Sequence, residues 1–122
     1  MPSPPSPSPI RNRLPQIAAW ILAVFFVVGG MANIAGPQAI LDDYERWGFP
    51  GWFHHVTGGL ELLTALFLVR NRTRRMGAAL GALVMAAAAT TLLLHGEYGH
   101  ALLPLGLLAV LALLGRAAFS RR

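Results

Sequence analysis

The chain has 122 residues, of which 55% are hydrophobic and 12% charged, and its net charge is +5. Charged residues fall far below the roughly 25% of a soluble domain, which excludes a water-soluble globule and leaves one integral membrane domain. The positive balance does not mark a nucleic-acid binder, because the arginines stand at the ends of apolar segments without interleaved aromatics. The absence of cysteine excludes disulfides, thiolate catalysis and thiolate-bound zinc or iron–sulfur centres.

The opening tract MPSPPSPSP favours extended polyproline II and has nothing to bury. Residues 1–13 are therefore expected to be a disordered tail, and residues 14–122 a membrane domain. Four apolar segments follow, at about 16–35, 51–69, 76–95 and 101–119. A spanning helix needs about 17–25 residues. The fourth segment reaches that length because Arg116 can snorkel to the interface. A cleaved signal peptide is the competing reading of the first segment, but its apolar stretch of about 19 residues exceeds the usual signal core.

Charge then orients the segments. Arg11 and Arg13 precede the first; Arg70, Arg72, Arg74 and Arg75 lie between the second and third; Arg116, Arg121 and Arg122 close the chain. Under the positive-inside rule these alternate with four crossings, so both termini face the cytoplasm. The expectation is an all-α, multi-pass bundle of four transmembrane helices in a bacterial cytoplasmic (inner) membrane. Arg46 alone falls on the outer side, beside Asp42, Asp43, Glu45 and Glu97.

Between the first two segments, Ile40, Leu41, Tyr44 and Trp47 recur at helical spacing among acidic residues. Residues 37–48 therefore read as an amphipathic helix lying in the outer interface. Trp47, Phe49, Trp52 and Phe53 form an aromatic cluster where the chain turns back into the bilayer. In the third segment Gly77, Ala78, Gly81 and Ala82 form a small-xxx-small pattern that lets helices approach closely.

Polar residues inside these segments are few. His54, Gly58 and Glu61 stand at i, i+4 and i+7 and share one helix face. Gly58 leaves a gap between the two ionisable groups, with room for water or a ligand. Thr91 and His95 share a face of the third segment. His55 lies about 100° around the helix from His54. Glu61 lies about 15 Å below Gly51 at 1.5 Å per residue, close to the midplane of a core about 30 Å thick. A charge at that depth costs about 2.5–3.5 kcal/mol on insertion scales, so a neutral carboxyl is favoured. Its bland role is a hydrogen bond to Asn33 or Thr91. Its functional role is a proton carrier, or a group holding a polar ligand head. His95 is level with His54, and a direct bond to Glu61 would need a tilt or a bridging water. His54, His95 and His100, with Glu97 nearby, could contribute to a divalent-metal site, but no ligand spacing supports one and no metal is expected.

The run ERWGFPGWFHHVTGGLELLTALFLV (Glu45–Val69), followed by RTRRMGAALGALVMAAAATTLLLHGEY (Arg72–Tyr98), resembles the DoxX-like family of small bacterial four-helix membrane proteins. The resemblance covers nearly everything after the Pro/Ser tract. It implies a four-helix bundle in the cytoplasmic membrane, associated in some members with quinone-linked oxidation of sulfur compounds and in others with redox-stress membrane complexes. Glu61 stands where the glutamate of the family would. A Thr-His pair is common in the third helix of the family, whereas here Leu92–Leu94 separate Thr91 from His95.

Three functions follow as expectations. The first is an accessory subunit in quinone-linked or other redox chemistry, with Glu61 as its proton or ligand group, possessing no obvious means of moving electrons alone and so needing an oxidoreductase partner. By itself such a chain is not expected to be an enzyme. The alternatives are a small homo-oligomeric transporter or channel for protons or a small solute, and a membrane scaffold without chemistry.

Overall fold

Among the described residues glycine and proline punctuate five helices: α1 (Pro9–Ala35), α2 (Gln38–Arg46), α3 (Phe53–Val69), α4 (Arg74–Leu94) and α5 (Tyr98–Ser120). The computed structural model describes residues 2–4 and 9–120, and among them there is no strand. Met1, residues 5–8, Arg121 and Arg122 lie outside the described residues, and with them part of the expected tail. Residues 9–13, expected to belong to that tail, instead open α1. Proline is well suited to a first helical position, where its missing N–H would have no partner anyway.

Three helices are long and apolar enough to cross a membrane: Arg13–Ala35, Arg74–Leu94 and Tyr98–Ala117; α3 is apolar but shorter, at 17 residues. Large aliphatic side chains stand exposed around the outside, among them Ile21, Leu83 and Leu113, each about two-thirds accessible. A soluble protein does not display apolar surface along all of its long helices, as α1, α3, α4 and α5 do here; these faces meet lipid.

α1 packs on α3, α3 on α4 and α4 on α5, while α5 closes more lightly onto α1. The α1–α3 crossing is close because it is made by glycines. A Cβ on Gly58 would come within 2.7 Å of the Gly30 carbonyl and 2.6 Å of Ile34, and one on Gly30 would come within 2.9 Å of the Gly58 carbonyl. Gly77 and Gly81 do the same for α4, seating it against Phe67, Leu68 and Thr64 of α3. Phe26, Thr64, Leu68 and Leu111 are fully buried between the helices.

The ends of the helices fix the turns. Gly36 takes φ +59° and returns its N–H to the Ala32 carbonyl at 3.0 Å, an αL cap that only glycine enters without cost. Pro37 then starts α2. At the end of α4, Gly96 (φ +72°) lets Glu97 donate its N–H to the Leu92 carbonyl at 2.8 Å, which places Glu97 at the tip of the α4–α5 turn. On the opposite side, the last carbonyls of α3 accept from Thr73 Oγ1 (Phe67, 2.9 Å) and from the buried Arg74 Nε (Leu68, 2.9 Å).

Candidate functional site

Glu61 is 5% exposed and faces α1. The two helices run antiparallel, and side chains lean toward the N-terminus of their own helix. Glu61 therefore leans toward the outer end of α3, and Asn33 of α1 leans down to meet it. Asn33 Nδ2 donates to Glu61 Oε1. Gly29 makes room for the carboxyl, since a Cβ there would sit 2.5 Å from Oε2. Above them Tyr44 of α2 donates its phenol proton to Asn33 Oδ1 at 3.0 Å. The three residues form one hydrogen-bonded line from α2 to the buried acid. Burial raises the Tyr44 phenol above its usual value, against the opposing hydrogen bond with Thr57 and with a smaller contribution from Glu61, so Tyr44 serves as a neutral donor.

Beside this line is a cavity of about 780 Å³, lined by all five helices, within the usual range for small-molecule sites. Its floor and sides are apolar: Phe25, Leu60, Val84, Met85, Leu103 and Leu107. Its polar lining includes Glu61, Asn33, Tyr44, Thr57, Thr90 and Thr91. The aromatic cluster forms its outer wall. Phe49 stacks on Phe53 at 4.6 Å and 9°, and Tyr44 is in ring contact with Trp47, Phe49 and Phe53 at 5.6–6.2 Å. Trp52, at 60% exposure, stays outside.

α2 roofs the cavity and is tied at its far end. Arg46 bonds Asp43 at 2.9 Å and Glu97 at 2.8 Å, and the Trp47 indole donates to Glu97 at 2.7 Å. The indole bond first, then Arg46, hold the Glu97 carboxyl below the usual carboxylate range. The Asp43 and Glu97 carboxylates likewise raise Arg46. This accounts for an arginine on the acidic side of the molecule: it latches α2 to the α4–α5 turn.

Of the residues expected at the site, Glu61 and Thr91 line the cavity; His54, Gly58 and His95 do not. The expected space over Gly58 is filled by α1, because two facing glycines let the helix backbones close together. His54 is buried, and its Nδ1–H donates to the Asn33 main-chain carbonyl at 2.6 Å. That carbonyl belongs to the last turn of α1 and has no helical partner, so His54 works as a cap supplied from α3. His55 is exposed, its ring 4.0 Å from that of His54. His95 is exposed at the end of α4 and donates back to the Thr91 carbonyl at 2.8 Å. His100 stands at the outer rim, 3.6 Å from Glu97. The weak metal candidates His54, His95 and His100 are thus scattered, and among the described residues no three His, Cys, Asp or Glu side chains are placed to hold a metal. Tyr44 and Thr57 also line the cavity, although neither was expected among the site residues. The signal for Tyr44 was its place on the apolar stripe of α2, the face that turns inward.

A helical membrane protein with, among the described residues, a single buried acid set beside an apolar cavity is the class that fold and site define. A family model matches residues 17–114, and the chain belongs to the DoxX-like family. No curated protein and no solved structure matches it.

Proposed function

We propose that the protein binds a lipid-soluble molecule with a polar head in the cavity beside Glu61, and that Glu61 holds that head or exchanges its proton. One observation carries the reading: the only carboxyl buried among the described residues forms part of the wall of a cavity of about 780 Å³ that is otherwise largely apolar. A packing role alone would satisfy Glu61 through Asn33 and would not require the adjoining space. A quinone is a ligand class of suitable chemistry, with a flat ring for the aromatic wall, a tail for the aliphatic floor and ring oxygens for Glu61. The fully buried Phe26, Leu68 and Leu111 pack between the helices, which supports binding over passage through a single copy.

The topology belongs to the same reading. Four crossings, with α3 as the shortest, α2 in the outer interface and both termini in the cytoplasm of a bacterial cell, agree with the arginine distribution. The role is that of an accessory subunit, with electrons handled by an oxidoreductase partner. The test is direct binding of a short-tailed quinone and its quinol to the purified protein in nanodiscs. The parent binds, and Glu61→Gln weakens the better-bound form about tenfold, the scale of one buried hydrogen bond to a charged group. Failure of the parent to bind either form, or an affinity indifferent to Glu61, removes the reading.

A further inference from the structure

The hydroxyl protons around the cavity are already committed. Thr90 Oγ1 donates to the Ala86 carbonyl at 2.7 Å, and Thr91 Oγ1 to the Ala87 carbonyl at 2.9 Å. These are the intrahelical bonds that threonine makes in apolar helices. Across the cavity Thr57 does the same to Phe53, at 3.3 Å. A hydroxyl that donates keeps its lone pairs, so each of these threonines offers the cavity an acceptor. In the roof, the Tyr44 proton goes to Asn33 at 3.0 Å and the Trp47 indole proton to Glu97 at 2.7 Å. Asn33 gives one amide proton to Glu61. Asp43, also in the wall, is a carboxylate that accepts from Arg46. Beyond the second amide proton of Asn33, the proton that Glu61 carries when neutral and the exposed rim residue His100, what the lining presents is acceptors: the threonine oxygens and the Glu61 carboxyl oxygens.

We infer that the cavity selects lipid-soluble molecules whose head carries hydroxyl donors (an alcohol, a phenol, or the hydroquinone form of a quinone) over carbonyl-only or ether counterparts of the same shape. A donor head bonds Glu61 and the threonine oxygens directly. A carbonyl head has the second amide proton of Asn33 to accept from; elsewhere it must displace a threonine proton from its own helix, or stay unpaired in an apolar space, which is the costly outcome for a buried polar group. Ligands able to donate gain most from this arrangement, because acceptors outnumber free donors in the lining, so the discrimination comes from the protein's own hydrogen-bond inventory. The inference rests on the reading of the cavity as a ligand site.

The experiment compares nonylphenol with its methyl ether, and a short-tailed hydroquinone with its quinone, for binding to the purified full-length protein in nanodiscs. The phenol and the hydroquinone bind about tenfold tighter than their partners, the scale of one well-made hydrogen bond against an unmade one. The double variant Thr90→Val/Thr91→Val keeps side-chain volume while removing two acceptors, and it narrows both ratios. Glu61→Gln, which turns an N–H toward the cavity, narrows them further. Equal affinities within each pair, tighter binding of the ether or quinone, or ratios unmoved by both variants overturn donor selection while the ligand site stands. If none of the four probes binds the parent, the ligand-site reading falls, and this inference with it.

Discussion

Asn33 is the residue on which the polar line depends. Its amide has two unlike ends, and both are used: the oxygen accepts from Tyr44 and the nitrogen donates to Glu61. Its main-chain carbonyl also takes the proton of His54. Asn33→Ala leaves Glu61 and Tyr44 without their shared partner, so it is expected to destabilise the protein by about 0.6–2 kcal/mol, the range for polar contacts between membrane helices. Tyr44→Phe keeps the bond to Glu61 and should cost less. Unfolding titrations in mixed micelles give both values. A Tyr44→Phe loss larger than that of Asn33→Ala would show that the line is not centred on the amide. Glu61 and its partner were legible in the sequence, because an acid deep in an apolar helix has few polar neighbours and Asn33 was one of them. Tyr44 was not. A tyrosine on the apolar stripe of a short amphipathic helix reads as an interface anchor. Only the αL turn at Gly36 determines that the stripe lies over the bundle.

At the scale of elements, α1 and α3 are matched by glycine against glycine, and neighbouring positions on α3 separate packing from propensity. Gly58 faces Gly30 and Ile34 at contact, whereas a Cβ on Gly59 meets nothing within 4 Å. Gly58→Ala must push the helices apart and is expected to cost about 1–3 kcal/mol, as overpacking does. Gly59→Ala is expected to be neutral or to stabilise by up to about 1 kcal/mol through helix propensity. Thermal unfolding of the two variants in one detergent provides the comparison; equal losses would mean that the crossing tolerates separation. The sequence showed that Gly58 sat between His54 and Glu61 but not what faced it. A missing side chain marks either a ligand gap or a helix contact, and the two look alike until the partner helix is placed. Helix boundaries suffered in a related way. The first helix was expected from its apolar stretch at 16–35, but backbone hydrogen bonding carries it back to Pro9 across residues of no hydropathic signal.

The whole molecule is asymmetric along the bundle. One end holds the α2 roof, the aromatic wall and the Arg46–Glu97 latch, while the other holds the Thr73 and Arg74 bonds that finish α3. The cavity lies toward the roofed end and the packed core toward the other. That division was only half legible. The outward bias of polar residues could be counted along the chain, whereas the cavity arises from side chains of five helices, which no linear pattern records. The asymmetry also makes the proposed orientation testable, because the chain contains no cysteine and a single introduced thiol reports alone. Ala39, on α2, and Asn71, in the α3–α4 turn, are both exposed. If the arginine-rich turn is cytoplasmic, Ala39→Cys reacts with a membrane-impermeant maleimide in intact spheroplasts, and Asn71→Cys reacts only after permeabilisation. The reverse pattern would invert the orientation and put the cavity roof on the cytoplasmic side. Reaction of both without permeabilisation would mean that α3, the shortest of the apolar helices at 17 residues, does not cross. Glu61 would then sit near an interface, and the cost of burying its charge, on which its assignment as a functional group depends, would largely vanish.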